Sequence, residues 1–158
     1  MTPSTLTRRT AAAALAMLAA AAAHCADRKD EIARGRYLIQ TAGCNDCHTP
    51  GYGPNEGKVE EKLWLTGDTL GWKGPWGTTY ATNLRLMLHG MSRQQWVRHA
   101  RTMKPRPPMP WFNVHAMTEA DLGAIHAYVR SLGPAGAPVP PYVPPGKEPV
   151  GPVVRFPE

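Results

Sequence analysis

Only three cysteines occur among the 158 residues, at positions 25, 44 and 47. A single Cys-x-x-Cys pair with no second pair leaves a structural zinc site, which takes about four ligands, short of donors. No alternation of strands and helices surrounds the pair, so a thioredoxin-like redox site lacks its βαβ setting. The longest apolar run, residues 11–23, is Ala, Leu and Met only, shorter than the about 20 residues of a membrane-spanning helix. No basic run is interleaved with aromatics, and the arginines are scattered through segments that need solvated faces anyway. The formal net charge of +6 therefore carries no pointer to nucleic acid. No internal repeat is visible.

What is present is Cys44-Asn45-Asp46-Cys47-His48. Two thiols about one helical turn apart, followed at once by an imidazole, have the spacing that bonds both haem vinyl groups and carries a ligand under the iron. This predicts one covalent haem c with its iron, and the motif occurs once. The amino terminus agrees. Arg8 and Arg9 without a nearby acid, the thirteen-residue apolar run 11–23 and the small residues after it form a secretory signal peptide over 1–23, with cleavage between 23 and 26. Thr7-Arg8-Arg9-Thr10 resembles a twin-arginine signal. Because haem c is attached after export of the unfolded chain, the general secretory route fits better. Cys25 as a lipid anchor is the other option, with His24 a poor residue ahead of it. Removing Arg8 and Arg9 from 18 basic residues set against 12 acidic ones leaves a mature charge of +4, which favours acidic docking faces on partner proteins.

The division expected is a domain over 27–133 and a proline-rich extended tail over 134–158. About a hundred residues is short for a self-sufficient core, so the cofactor fills part of the interior. Periodicity predicts three main helices joined by long loops. The first, 30–43, places Ile32, Gly35 and Ile39 on one side and runs straight into Cys44. The second starts at Ser92 with Gln95 in capping-box position, faces inward with Trp96, Val97, Ala100 and Met103, and stops at Lys104-Pro105. The third starts at Thr118 with Asp121, continues through Leu122, Ile125, Val129 and Leu132, and ends at Gly133-Pro134. Residues 49–90 read as loop wrapped on the cofactor, with a short extended piece near Thr78 to Thr82. The tail cannot form a core alone, and Tyr142, Val143, Val153, Val154 and Phe156 are anchors with which it docks in part.

With Gly35-Arg36-Tyr37, the Cys44–Pro50 stretch, Gly77–Asn83, Pro108-Met109-Pro110-Trp111 and Asp121–Leu132, residues 32–133 resemble a class I single-haem cytochrome c, similar to the bacterial haem-c domains that serve periplasmic dehydrogenases. The resemblance implies a mainly α fold in which the first and last helices cross, with Gly35 facing Tyr128. It implies His48 as proximal and Met109 as distal iron ligand. Met109, held between two prolines ahead of the last helix, is also placed to be presented rather than packed in a helix face. Met87, Met91, Met103 and Met117 compete, Met103 reading better as helix core and Met117 as a residue flanking a cap. His115 is the rival histidine; His24, His89, His99 and His126 read as surface or satisfied core residues.

A carbonyl near Pro50 or Pro54 would fix the His48 tautomer. In the family's manner Trp72, Trp76, Tyr80 and Asn83 are candidates to bond haem propionates, of which Tyr80 and Asn83 are carried forward; aromatic walls closing the crevice are the other reading. Leu84 to Met91 is a shorter loop than related domains carry before the second helix. The implied function is periplasmic one-electron transfer rather than enzymatic turnover. Electrons would come from a dehydrogenase and pass to an oxidase or another cytochrome, with the chain a free carrier or the cytochrome subunit of a dehydrogenase complex. A labile distal ligand would instead give a haem that binds a diatomic gas or reacts with peroxide.

Overall fold

The computed structural model describes residues 25–157; the predicted signal peptide lies outside them. Residues 25–41 are helical (α1). The chain does not run straight on into Cys44 as the periodicity suggests. Gly43, at φ +70, takes a left-handed turn that side chains disfavour, and a separate short helix α2, Cys44–His48, follows. Cys25 is exposed and forms no disulfide.

The three long helices stand near their predicted places. α4, Arg93–Thr102, opens with Ser92 and Gln95 in a reciprocal capping box, which pairs two of the backbone groups a helix start leaves orphaned. α6, Glu119–Ser131, is capped by Thr118, whose hydroxyl accepts the Asp121 N–H at 3.1 Å. Asp121 does not complete a box; its carboxylate accepts from Thr118 and pairs with Arg34 of α1 at 2.9 Å. Leu38 and Ile39 of α1, Trp96, Val97 and Ala100 of α4 and Leu122, Ile125, Tyr128 and Val129 of α6 form the core with Trp64, Leu65 and Leu88.

Where α1 crosses α6, a Cβ on Gly35 would lie 2.0 Å from the Ala124 carbonyl oxygen and 2.7 Å from Tyr128 Cβ. Only a residue without a side chain lets the two backbones approach this closely. Tyr128 is buried here, and its hydroxyl donates to Glu61 Oε1 at 2.7 Å, which Arg36 of α1 also grips at 3.0 Å.

The stretch 49–90 holds more regular structure than its composition suggests. β1, Gly71–Gly74, and β2, Gly77–Tyr80, pair as an antiparallel hairpin with Gly71 opposite Tyr80. Strands of four residues, with three glycines between them, are too short for an alternating pattern to show in sequence. The supposed loop after Asn83 is a helix, α3, Leu84–His89, capped by the Asn83 side chain. Its Arg85 is buried, not solvated. The guanidinium donates to the carbonyls of Leu132 and Gly133 at the end of α6 and to those of Lys62 and Trp64. A buried charge requires such partners, and it complements the negative end of α6.

The tail lies along the domain. β3, Val153–Arg155, adds to β1 in parallel, giving the sheet order β2-β1-β3. Phe156 packs 5.2 Å from Trp76 and 6.1 Å from Trp72, centre to centre. Lys73 and Arg155 both pair with Glu148.

Gly35→Ala is expected to destabilise the holoprotein by about 1–3 kcal/mol or more, the cost of overpacking against atoms that cannot rotate away, read as a lowered denaturant midpoint. Burial raises the Glu61 carboxyl, but its bonds from Arg36 and Tyr128 and the Arg36 charge more than reverse this and hold it below its usual 4.5. Its folded value is depressed, so its contribution to stability is whole above about 4.5 and is lost as pH falls through the lower folded value. Glu61→Gln is expected to flatten the acid limb of the stability profile in that window.

Candidate functional site

A cavity of about 690 Å³ opens between α1, α2, the β-hairpin, α4 and the segment following α4, within the roughly 300–1,000 Å³ of small-molecule and cofactor sites. α2 supplies Cys44, Cys47 and His48 to its wall; Ile39, Leu84, Trp96, Val114 and Ile125 give it apolar surface; Trp72 and Tyr80 come from the hairpin. Met109 lines it from the loop between α4 and a further short helix α5, Trp111–His115.

His48 is buried, and its Nδ1 lies 2.7 Å from the Thr82 carbonyl oxygen. A carbonyl only accepts, so Nδ1 carries the proton and donates, and the lone pair is left on Nε2. The acceptor is therefore Thr82, not a carbonyl near Pro50 or Pro54, and it comes from 34 residues further along the chain. Burial pulls the His48 imidazole below its ordinary pKa, partly opposed by the Thr82 bond, which keeps it neutral and able to coordinate a metal. Burial, with the charge of Asp46, pushes the Cys44 thiol up to about 11. Cys47 is raised by burial and by Asp46 and Asp68. Beneath α2, Thr49 donates to Asn45 Oδ1 at 2.8 Å and accepts the Leu65 N–H at 2.8 Å, locking the turn that holds the motif.

The other candidates separate. Tyr80 lines the cavity. Asn83 does not: Oδ1 accepts the Leu86 N–H at 3.0 Å as the α3 cap, and Nδ2 donates to the carbonyls of Ala135 at 2.9 Å and Ala137 at 3.2 Å in the tail. The amide is engaged at both ends and serves as a structural clamp between α3 and the tail. His115 stands outside the wall, its Nε2 bonded to the Met103 carbonyl at 2.9 Å and its ring 4.8 Å from that of Trp111. Met87, Met103 and Met117 share the cavity wall with Met109, whereas Met91 does not reach it. His99, read as surface or satisfied core, also faces the cavity, as do Val139, Pro140 and Tyr142 of the tail. His99 was findable, being three residues on from Trp96 on one helix face.

Two thiols, an imidazole with a free Nε2 and a thioether on one apolar cavity are a donor set that fits covalently held haem. The family profile described as Cytochrome c matches residues 32–133. The chain belongs to the cytochrome c family. No curated protein and no solved structure matches it. As a cytochrome c it carries haem c with its iron, has the class I fold and works in electron transfer rather than as an enzyme. Among the described residues no helix is long and apolar enough to cross a membrane.

Asn83→Ala is expected to destabilise the holoprotein by about 1–2 kcal/mol, the value of a lost N-cap, while leaving the reduction potential in place. A large potential shift at unchanged stability would assign Asn83 to the propionates.

Proposed function

We propose that this cytochrome passes single electrons in the periplasm, with Cys44 and Cys47 holding the haem and with His48 and Met109 as its iron ligands. Its electron donor would be a dehydrogenase and its acceptor an oxidase or another cytochrome, the chain acting as a carrier or as the cytochrome subunit of the dehydrogenase. Location is supported by the signal-peptide pattern of residues 1–23, and acidic partner faces by the positive charge.

The observation that carries the reading is that Pro108-Met109-Pro110 lines the same cavity as Cys44, Cys47 and His48. Cys44 Sγ and Cys47 Sγ, one turn apart, would form the thioether bonds. His48 offers Nε2 because Thr82 holds Nδ1–H. Met109 offers its sulfur from a loop, while Met87 and Met117 pack against the hydrophobic core and Met103 caps the end of α4. Tyr80 is the propionate candidate, since its hydroxyl makes no hydrogen bond to protein among the described residues. Bound, haem c supplies a ferric/ferrous couple whose potential the methionine ligand raises. Ile39, Leu84, Trp96 and Ile125 keep water from the site and lower its dielectric.

The purified ferric protein is expected to show the weak long-wavelength methionine-to-iron band. Met109→Ala is expected to abolish it and to let the ferrous protein take up carbon monoxide readily. A wild-type protein without the band that binds carbon monoxide freely would replace electron carriage by the gas- or peroxide-reactive reading.

A further inference from the structure

The loop that carries Met109 has little means of holding its own shape. Between Lys104 and Pro110, positions 105, 107, 108 and 110 are proline, and proline has no N–H to donate. The loop is held by contacts from outside. Two of these lead back to the β-hairpin. Thr79 donates its hydroxyl to the Pro107 carbonyl at 2.8 Å. The Arg106 guanidinium stacks on Tyr142 of the tail, 3.9 Å from the ring centre.

Tyr142 is itself fixed from below. Its hydroxyl donates to the Trp76 carbonyl at 2.8 Å. The next residue, Val143, exchanges both backbone bonds with Thr78, at 2.8 and 3.0 Å. The chain comes this close only because Gly77, at φ +93, has no side chain; a Cβ there would lie 2.4 Å from the Val143 carbonyl oxygen and 3.0 Å from the Tyr142 ring. The hairpin is thus shaped to receive the tail, and Tyr142 reaches the cavity wall beside the Met109 loop.

We propose that Tyr142 is a positioning residue for the distal ligand: by stacking on Arg106 it holds the Pro105–Pro110 loop to the cavity, so that the tail governs how readily the sixth position on the iron opens. The proposal rests on Met109 being that ligand. Tyr142 touches the loop and not the reacting iron, so its effect is on the closed fraction of the loop. A cation–π contact at an exposed site is worth enough to change such a fraction by about 2- to 5-fold.

The test uses the full-length ferrous holoprotein and the rate of carbon monoxide uptake, which is limited by opening of the distal side. The ferric methionine band and covalent haem attachment are recorded on each variant. Tyr142→Ala and Arg106→Gln are each expected to speed uptake by about 2- to 5-fold. Tyr142→Phe, which keeps the ring, is expected to restore a slow rate. The double variant should be no faster than the singles, because both remove one contact. If Tyr142→Ala fails to fold, Arg106→Gln carries the same expectation at an exposed position. A wild type that lacks the methionine band overturns both the ligation and the proposal. A wild type with the band, and variants whose uptake is unchanged or whose effects add, overturns the proposal alone.

Discussion

The approach of α1 to α6 at Gly35 is the constraint from which the rest of the molecule is built. With backbone against backbone at that point, the end of α1 is fixed relative to the core, and only two residues separate it from α2. The direction of Cys44, Cys47 and His48 is therefore set by a packing contact in which none of them takes part. On the other side of the crossing, Tyr128 reaches Glu61, and Glu61 reaches back to Arg36 on α1. The crossing is closed by a polar clasp as well as by absent volume. Such a contact tolerates little, because close-packed interiors pass displacement on rather than absorb it.

A second set of ties converges on two consecutive residues. The Thr82 carbonyl holds His48, and the Asn83 side chain both starts α3 and grips the tail at Ala135 and Ala137. Two positions further, Arg85 gathers the carbonyls at the end of α6. The strand end, the motif histidine, a helix start, the last helix and the tail thus meet within four residues. A change in any of them would reach the proposed proximal ligand through a single carbonyl. Hydrogen bonding at that carbonyl also bears on the imidazole itself, since a better-held Nδ1–H makes Nε2 a stronger donor to any metal it meets.

What could be read from sequence follows from what was periodic or chemically singular. The haem motif is legible because no other chemistry needs those residue types in that order. α4 and α6 are legible because their caps and apolar faces agree with one another. Arg85 was not, because burial of a charge depends on four carbonyls from distant parts of the chain, and nothing local marks it. The acceptor for His48 lies beyond a hairpin, 34 residues on at Thr82, rather than near the motif, for the same reason. Asn83 has the right residue type and neighbourhood for a propionate partner, yet an N-cap asparagine looks identical in sequence. The family fold was visible; the assignment of particular polar side chains within it was not.

The tail shows the same limit from the other side. Its prolines rule out a helix and a long strand, and its scattered apolar residues have no period, so composition alone suggests an extended segment with little to hold it. Yet three kinds of contact hold it at separate points: a parallel strand pairing at Val153–Arg155, a bridge at Val143, and aromatic stacking by Tyr142 and Phe156. An extended proline-rich chain loses less conformational freedom on docking than a flexible one. A few anchors spaced along it then suffice where a flexible chain would need continuous contact. This is why Tyr142 can bear on the Met109 loop although the residues around it carry no regular structure.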